Sequence, residues 1–139
     1  MRDLRDLRDA REEERSFHHM SVIRFEDLEC WQLAKTLAVE LYAISNGGEF
    51  GKDFGFKDQI RRAAVSIASN IAEGKERETL GEFVRHLYIA KGSAGELKTQ
   101  LLIAEDIGYL DQAHAIELKF KVDKVSAMLG ALIKTLKSE

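Results

Sequence analysis

A strict spacing of apolar residues constrains this fold more than any other feature of the sequence. Between residues 83 and 104, apolar positions alternate at intervals of four and three: Phe83, Leu87, Ala90, Ala94, Leu97, Leu101 and Ala104. A second series repeats the pattern: Leu118, Val122, Val125, Leu129, Leu132 and Leu136, with Ile116, Phe120 and Ile133 expected to widen it. This spacing places each series on one face of an α-helix. The two series therefore predict two long helices that each bury one face.

Capping residues indicate where these two helices begin and end. Thr79 stands three residues before Glu82, which is the spacing of a capping box and predicts the start of the first long helix. Gly108 is expected to end that helix, and Asp111 is expected to cap the next one.

An earlier helix is expected to begin near Phe25–Asp27 and to end at Asn46–Gly47. The two acids at its start would meet the positive end of the helix dipole. Its expected buried positions follow three-and-four spacing: Leu28, Trp31, Ala34, Ala38, Leu41 and Ser45. We interpret Trp31 as a core residue, and Cys30 beside it as a small buried hydrophobe.

The stretch Gln59–Gly74 is expected to form the central helix. Its apolar stripe consists of Ile60, Ala64, Ile67 and Ile71, widened by Ala63, Ala68 and Ala72. So wide an apolar arc suits a helix that serves its own bundle and also touches another subunit. The candidate subunit contacts are Ala64, Ile67, Ala68 and Ile71. The polar residues form one strip that is expected to face solvent: Gln59, Arg62, Ser66, Ser69, Asn70 and Glu73, with Arg61 beside it.

Glycines predict one loop and one close contact. Residues 47–55 contain four glycines and are interpreted as a turn. Three aromatic side chains are expected to tuck over the end of the bundle there: Phe50, Phe54 and Phe56. Gly92 and Gly95 interrupt a helix, which suggests close approach of another backbone.

Composition supports helices throughout. Apolar residues make up 45% of the 139 residues and charged residues 32%, and there is no proline. We therefore predict an all-α protein, an up-down-up-down antiparallel four-helix bundle over residues 20–139. Residues 1–19, with their near-repeat of arginine, acid and leucine, are interpreted as a charged low-complexity extension.

Charge and targeting features limit the classes of partner. The formal net charge is -3 and there is one cysteine. No overall cationic field attracts nucleic acid or anionic lipid, so any such binding must be local. Without an apolar run of membrane-spanning length or a secretory signal, we expect a cytoplasmic protein with no membrane partner.

No arrangement typical of a catalytic site stands out. Glu78, Glu82 and His86 share a helix face, and Asp111 stands three residues before His114, but both groups are interpreted as solvated polar faces. No nucleophile motif or phosphate-binding loop is present. We therefore expect no enzyme activity, no metal, no cofactor and no small-molecule substrate.

A local group of basic residues is the best candidate binding site: Arg61, Arg62, Lys75, Arg77 and Arg85. One interpretation is a surface that binds structured RNA, DNA or a nucleic-acid enzyme. The other is a structural or protein-interaction oligomer without nucleic-acid binding, in which these side chains form ion pairs between subunits. The residues alone leave both open.

Several motifs then carry a family resemblance. The chain resembles the bacterial four-helix-bundle family named for reading frames inside intervening sequences of 23S ribosomal RNA genes. The matching stretches are Phe25–Gln32, Gln59–Ile67, Asn70–Gly74, Glu82–Phe83, Leu97–Leu101 and Gly108–Leu110. Members are similar to the accessory variability protein of diversity-generating retroelements. That protein forms a pentameric ring and binds reverse transcriptase and nucleic acid.

The resemblance implies a homopentamer that acts as a ring-forming, non-enzymatic adaptor. Its implied partners are itself and RNA, DNA or a nucleic-acid enzyme such as a reverse transcriptase. The chain departs from the family at Ala68, where proline is common, so a proline kink there would be relaxed. It also departs in its slightly acidic net charge.

Overall fold

The computed structural model of the chain describes residues 4–5 and 22–138. Within these ranges lie a short 3-10 turn, Phe25–Asp27, and five α-helices. They are α1 (Glu29–Ile44), α2 (Gly48–Lys52), α3 (Phe54–Glu76), α4 (Leu80–Asp106) and α5 (Gln112–Lys137). The described residues contain no strand, which confirms the all-α prediction for that part of the chain. The extension predicted over residues 1–19 falls outside it, apart from residues 4–5.

The predicted caps of the two long C-terminal helices are confirmed. The Thr79 hydroxyl accepts a hydrogen bond from the backbone N–H of Glu82 at 3.2 Å. The Asp111 carboxylate accepts one from the backbone N–H of His114 at 2.8 Å. Gly108 has φ +82°, a conformation that favours glycine and that ends α4 as predicted.

The first helix is shorter than predicted. The turn Phe25–Asp27 is followed by Leu28 in an extended conformation (φ −73°, ψ 126°), and α1 begins only at Glu29. Cys30 is 5% exposed, which confirms that it is a small buried residue. Trp31 packs against the core, and its ring centroid lies 5.2 Å from that of Phe25.

The predicted loop over residues 47–55 contains the short helix α2 and the start of α3. Phe50 is buried and stacks on Tyr109 with ring centroids 5.3 Å apart, and Phe56 joins this cluster. Phe54 is 74% exposed, so its predicted place over the bundle end is wrong. It is the first residue of α3, where its ring lies 4.8 Å from the Lys57 ammonium group instead.

The core lies where α1, α3, α4 and α5 meet. Helix α3 packs on α4, α4 on α5, and α1 on both α3 and α5. Side-chain pairs show that α3 and α4 run in opposite directions, because Ser66 meets Ser93 while Asn70 meets His86. Helices α4 and α5 are also antiparallel, since the ion pairs join Glu105 to Lys119 and Lys98 to Asp123.

The predicted stripe of α4 is confirmed, because all seven of its residues are buried. On α5 the predicted series is buried at every position except Leu132, which is only partly buried, and Ile133 is buried beside it as predicted. An α-helix of 3.6 residues per turn drifts away from a strict 4-3 repeat, and the extra step of four, from Leu129 to Ile133, restores the buried side. Ile116 and Phe120 are 57% and 67% exposed, so the prediction that they widen the stripe is wrong.

The expected close approach at Gly92 and Gly95 is not found within the chain. A Cβ atom at either position would meet nothing within 4 Å, because both glycines lie on the exposed face of α4. The close contact occurs at Gly74, where a Cβ atom would lie 2.5 Å from the Cβ of His86. Glycine at position 74 lets α3 and α4 approach each other at this level.

Candidate interaction surfaces

The Arg61 side chain binds to other groups of the same chain. Its guanidinium donates hydrogen bonds to the Ser45 hydroxyl at 2.8 Å and to the backbone carbonyl of Tyr42 at 3.1 Å. It also lies 4.4 Å from the centre of the Tyr42 ring. These contacts fasten α3 to the C-terminal end of α1. Two of the five N–H donors of Arg61 are therefore already engaged within the chain.

Arg62 and Arg77 each form an ion pair one helical turn from a carboxylate. Arg62 donates to Asp58 at 2.8 Å, and Arg77 donates to Glu73 at 2.8 Å. The hydrogen bond from Arg77 is the main reason why the pKa of Glu73 is lowered, with a smaller contribution from the nearby charge of Arg85. Both arginines are therefore partly neutralised by their own helix.

Lys75 and Arg85 are the two candidates without such a partner. Within the part of the chain that the structure describes, no carboxylate lies within ion-pair distance of either side chain. They flank the connection between α3 and α4, where exposed carboxylates also lie: Glu76, Glu78 and Glu82. The corner is thus of mixed charge.

The five basic candidates do not form one continuous surface. Arg61 and Arg62 belong to the first half of α3, whereas Lys75, Arg77 and Arg85 lie at its C-terminal end and on α4. At 1.5 Å per residue, about 20 Å of helix separates Arg62 from the end of α3. The structure brings together three of the five and leaves two apart.

Three of the four predicted subunit contacts lie in the core of the single chain. Ala64, Ile67 and Ile71 have no exposed surface, because α1 and α4 pack against this side of α3. They therefore belong to the interior of one chain rather than to a contact between chains. Ala68 is partly buried against the same core.

A partly buried polar network joins α3 to α4. Asn70 donates from Nδ2 to the Ser66 carbonyl at 2.9 Å and to the Ser66 hydroxyl at 3.0 Å, and the Ser66 hydroxyl lies 2.9 Å from that of Ser93. The Asn70 carbonyl oxygen lies 3.2 Å from Nδ1 of His86. Because that oxygen can only accept, Nδ1 of His86 is the donor of this hydrogen bond.

This network corrects two sequence predictions. Ser66 and Asn70 were expected on a solvent-facing strip, but α4 covers that side of α3 and their side chains bond across the contact. His86 was expected on a solvated face with Glu78 and Glu82, but it is only 5% exposed. The Cβ and Cγ atoms of His86 lie against Gly74, which has no side chain to exclude them.

Sequence reasoning missed five exposed apolar side chains near the junction of α4 and α5, here together named the apolar patch. Its members are Leu102, Ile103, Ile107, Ile116 and Phe120, with exposures of 43%, 44%, 53%, 57% and 67%. They occupy the last turns of α4 and the first turns of α5, beside the Lys119–Glu105 ion pair that joins the two helices. The indication available in the sequence was that these residues fall outside the four-and-three series of apolar positions on α4 and α5.

Reactive groups are few in the described part of the chain. No three side chains of His, Cys, Asp or Glu there are close enough to hold a metal ion. Burial raises the pKa of the Cys30 thiol, which disfavours the thiolate. Over the same residues, no helix is both long enough and apolar enough to cross a lipid bilayer.

Known proteins share features of this sequence and of this fold. A protein-family model described as 23S rRNA-intervening sequence protein matches residues 26–131. The crystal structure of a protein of unknown function from the S23 ribosomal protein family of Bacteroides thetaiotaomicron superposes with a TM-score of 0.70 at 22% identity. The match covers 76% of this chain and 95% of that one. No curated protein matches. The family match spans most of the chain, and the chain belongs to the 23S rRNA-intervening sequence protein family.

Proposed function

We propose that this protein is a non-enzymatic, self-associating adaptor. In this proposal α1, α3, α4 and α5 form an up-down-up-down antiparallel bundle, and copies of the bundle assemble into a homopentameric ring. The single observation that carries self-association is the apolar patch. The number of five subunits, and the similarity to the accessory protein of diversity-generating retroelements, rest on family resemblance and stay predictions.

The apolar patch has the character of a protein contact. A single exposed leucine needs no explanation, but five large apolar side chains from adjoining turns of two packed helices are unusual on a monomer. All five are more than 40% exposed. Burying them against another copy would remove this surface from water, at about 25 cal/mol for each Å². If the contact is made with a different face of the neighbour and the rotation between neighbours closes, repetition generates a ring.

Binding of RNA, DNA or a nucleic-acid enzyme is the second candidate function. It is favoured by Lys75 and Arg85, which have no carboxylate partner among the described residues. A ring would repeat this pair in every subunit, and each phosphate neutralised adds to the affinity. The ion pairs that Arg62 and Arg77 form within the chain weaken this candidate, and they also leave these two side chains less available for the ion pairs between subunits that the structural alternative expects.

Light scattering tests self-association directly. We expect a mass near five times 15.7 kDa for the natural chain and a mass near 15.7 kDa for the double variant Leu102→Glu/Phe120→Glu. Val39→Glu on α1 is the matched control, since Val39 is 61% exposed and lies outside the apolar patch. A natural chain that is monomeric at every concentration, or a double variant that keeps the oligomeric mass, would contradict the proposal.

Nucleic-acid binding is tested on the same particle. We expect a structured RNA to raise the mass at low salt, and added salt to reverse the rise because it screens the phosphates. Lys75→Glu/Arg85→Glu should abolish the rise while the oligomer stays intact. Arg62→Glu is the control, because its guanidinium is already paired with Asp58. An oligomer that never responds to RNA would favour the structural alternative.

A further inference from the structure

A basic groove lies between α4 and α5, at the opposite end of these helices from the apolar patch. It has a volume of about 710 Å³. The residues that carry its chemistry are Tyr88, Lys91, Gly92, Gly130, Lys134 and Lys137. Lys134 and Lys137 stand in the last turn of α5, which runs antiparallel to α4. The two helices thus form its opposite walls.

Two glycines leave the floor of this basic groove open. A Cβ atom on Gly92 would meet nothing within 4 Å, and one on Gly130 would meet only the Lys91 side chain, at 3.5 Å. Ile133, which is 5% exposed, supplies an apolar base. The missing side chains therefore leave a cleft with an apolar floor rather than a filled contact between the helices.

The charge of the basic groove is uncompensated. In the described residues, no carboxylate lies within ion-pair distance of Lys91, Lys134 or Lys137. Elsewhere on α4 and α5, three of the other four lysines are paired with carboxylates: Lys98 with Asp123, Lys119 with Glu105 and Lys121 with Glu40. A chain of net charge -3 thus places at one cleft three ammonium groups that have no ion-pair partner among residues 22–138.

Tyr88 holds one of these ammonium groups in place. Lys137 Nζ donates to the Tyr88 hydroxyl at 3.1 Å and lies 5.3 Å from the ring centre. The ring itself is 49% exposed and borders the cleft. An aromatic ring and a positioned ammonium group therefore lie side by side. The ring suits the apolar body of a ligand, and the ammonium group suits an anionic group on the same ligand.

The size and charge of the basic groove favour a small ligand. Its volume falls within the range of about 300–1,000 Å³ that is typical of small-molecule sites. Gly130 and Lys137 are separated by about 10 Å of helix, which is short for a groove that tracks a polymer. A phosphomonoester carries a charge of about −1.5 to −2 and three acceptor oxygens, so it matches several ammonium groups better than a monocarboxylate, which has one charge and two oxygens.

We propose that this basic groove binds an organic phosphate. The phosphate group lies among Lys91, Lys134 and Lys137, and the apolar or aromatic body of the ligand packs on Tyr88 and over the glycine floor. This site is separate from the apolar patch and does not depend on the proposed oligomer.

Calorimetric titration of the full chain with 1-naphthyl phosphate tests this site. We expect it to bind at least about tenfold more tightly than inorganic phosphate, which lacks the apolar body, and than 1-naphthol, which lacks the charge. Gly92→Leu should weaken binding by about tenfold or more because it fills the floor, and Lys134→Glu should do so by reversing a charge. The matched controls are Gly95→Leu and Lys124→Ala, on the same helices but outside the cleft.

Thermal unfolding separates a binding effect from a folding defect. Gly92→Leu should raise the melting temperature, since leucine is the better helix former and the position is open. Lys134→Glu changes an exposed residue and provides a second variant that keeps the fold. No binding of 1-naphthyl phosphate, equal binding of inorganic phosphate or 1-naphthol, or equal loss in the control variants would each overturn the proposal.

Discussion

At the scale of single residues, Gly74 is a position where the packing of α3 on α4 leaves no room for a side chain. It is buried near the end of α3, and a Cβ atom there would lie 2.5 Å from the His86 Cβ and 3.2 Å from the Phe83 ring. An added methyl group must push α3 and α4 apart or displace His86. His86 cannot move freely, because Asn70 holds its Nδ1.

We therefore expect Gly74→Ala to lower the free energy of unfolding by about 1–3 kcal/mol, the usual penalty for overpacking. Gly95→Ala is the matched control, since it meets nothing within 4 Å and should raise that free energy by about 1 kcal/mol through helix propensity. Urea unfolding of both variants measures the difference. Stabilisation by both substitutions would contradict the close contact.

Few roles of single residues were visible in the sequence. Cys30 could be assigned to the core, because its neighbours follow helical spacing and no partner suggests chemistry. Arg61 could not be assigned, because its acceptors on Ser45 and Tyr42 lie sixteen and nineteen positions away. A polar side chain looks the same in sequence whether it faces water or a buried acceptor.

At the scale of helices, the start of α5 depends on an ionised cap. The Asp111 carboxylate accepts a hydrogen bond from the backbone N–H of His114, and this contact is the main reason why its pKa is lowered. A carboxyl whose pKa is lower in the folded than in the unfolded chain adds stability above its unfolded pKa, about 3.9. That contribution is lost as the pH falls through the lower folded value.

Asp111→Asn keeps a good capping residue but removes its titration. We expect the natural chain to be the more stable of the two at pH 7, and its advantage to shrink as the pH falls below about 4. Thr79→Ala is the comparison, because loss of a hydroxyl cap costs about 1 kcal/mol at any pH. Urea unfolding from pH 7 to acid checks this, and a pH-independent effect of Asp111→Asn would contradict it.

Helix-level predictions succeeded where the signal was local. The stripe and caps of α4 were predicted residue by residue, since both depend on spacings within one helix. The start of the first helix was predicted too early, because Leu28 is extended and separates α1 from the preceding turn. The short helix α2 inside the glycine-rich segment left no periodic pattern that could be recognised.

At the scale of the whole molecule, the buried core that the structure describes lies between Cys30 and Leu136. The family match, residues 26–131, covers nearly the same span. A chain beginning at Met20 should therefore unfold in urea with the same midpoint as the full chain. A chain ending at Leu132 is the control, since it loses Ile133 and Leu136 and should be destabilised by several kcal/mol. A lowered midpoint for the chain beginning at Met20 would show that residues 1–19 contribute to folding.

The paired surface of α4 and α5 organises the two functional proposals. The apolar patch lies at one end of the surface formed by α4 and α5, and the basic groove lies at the other end. At neither end do the exposed side chains show the mixture of charges that is usual on a helix surface. A contact between subunits and a small anionic ligand can thus use different ends of one face.

The sequence by itself determined the helical class, the caps, the buried stripe of α4 and the family, because each is encoded in spacings along one stretch of chain. The tertiary structure alone decided which side of α3 is covered, where Arg61 is bound and why position 74 is glycine. It also decided that Ile116 and Phe120 face outward and that Lys91 shares a cleft with Lys134 and Lys137. These features depend on how helices distant in sequence pack together, and periodicity within one helix carries no information about the face its neighbour covers.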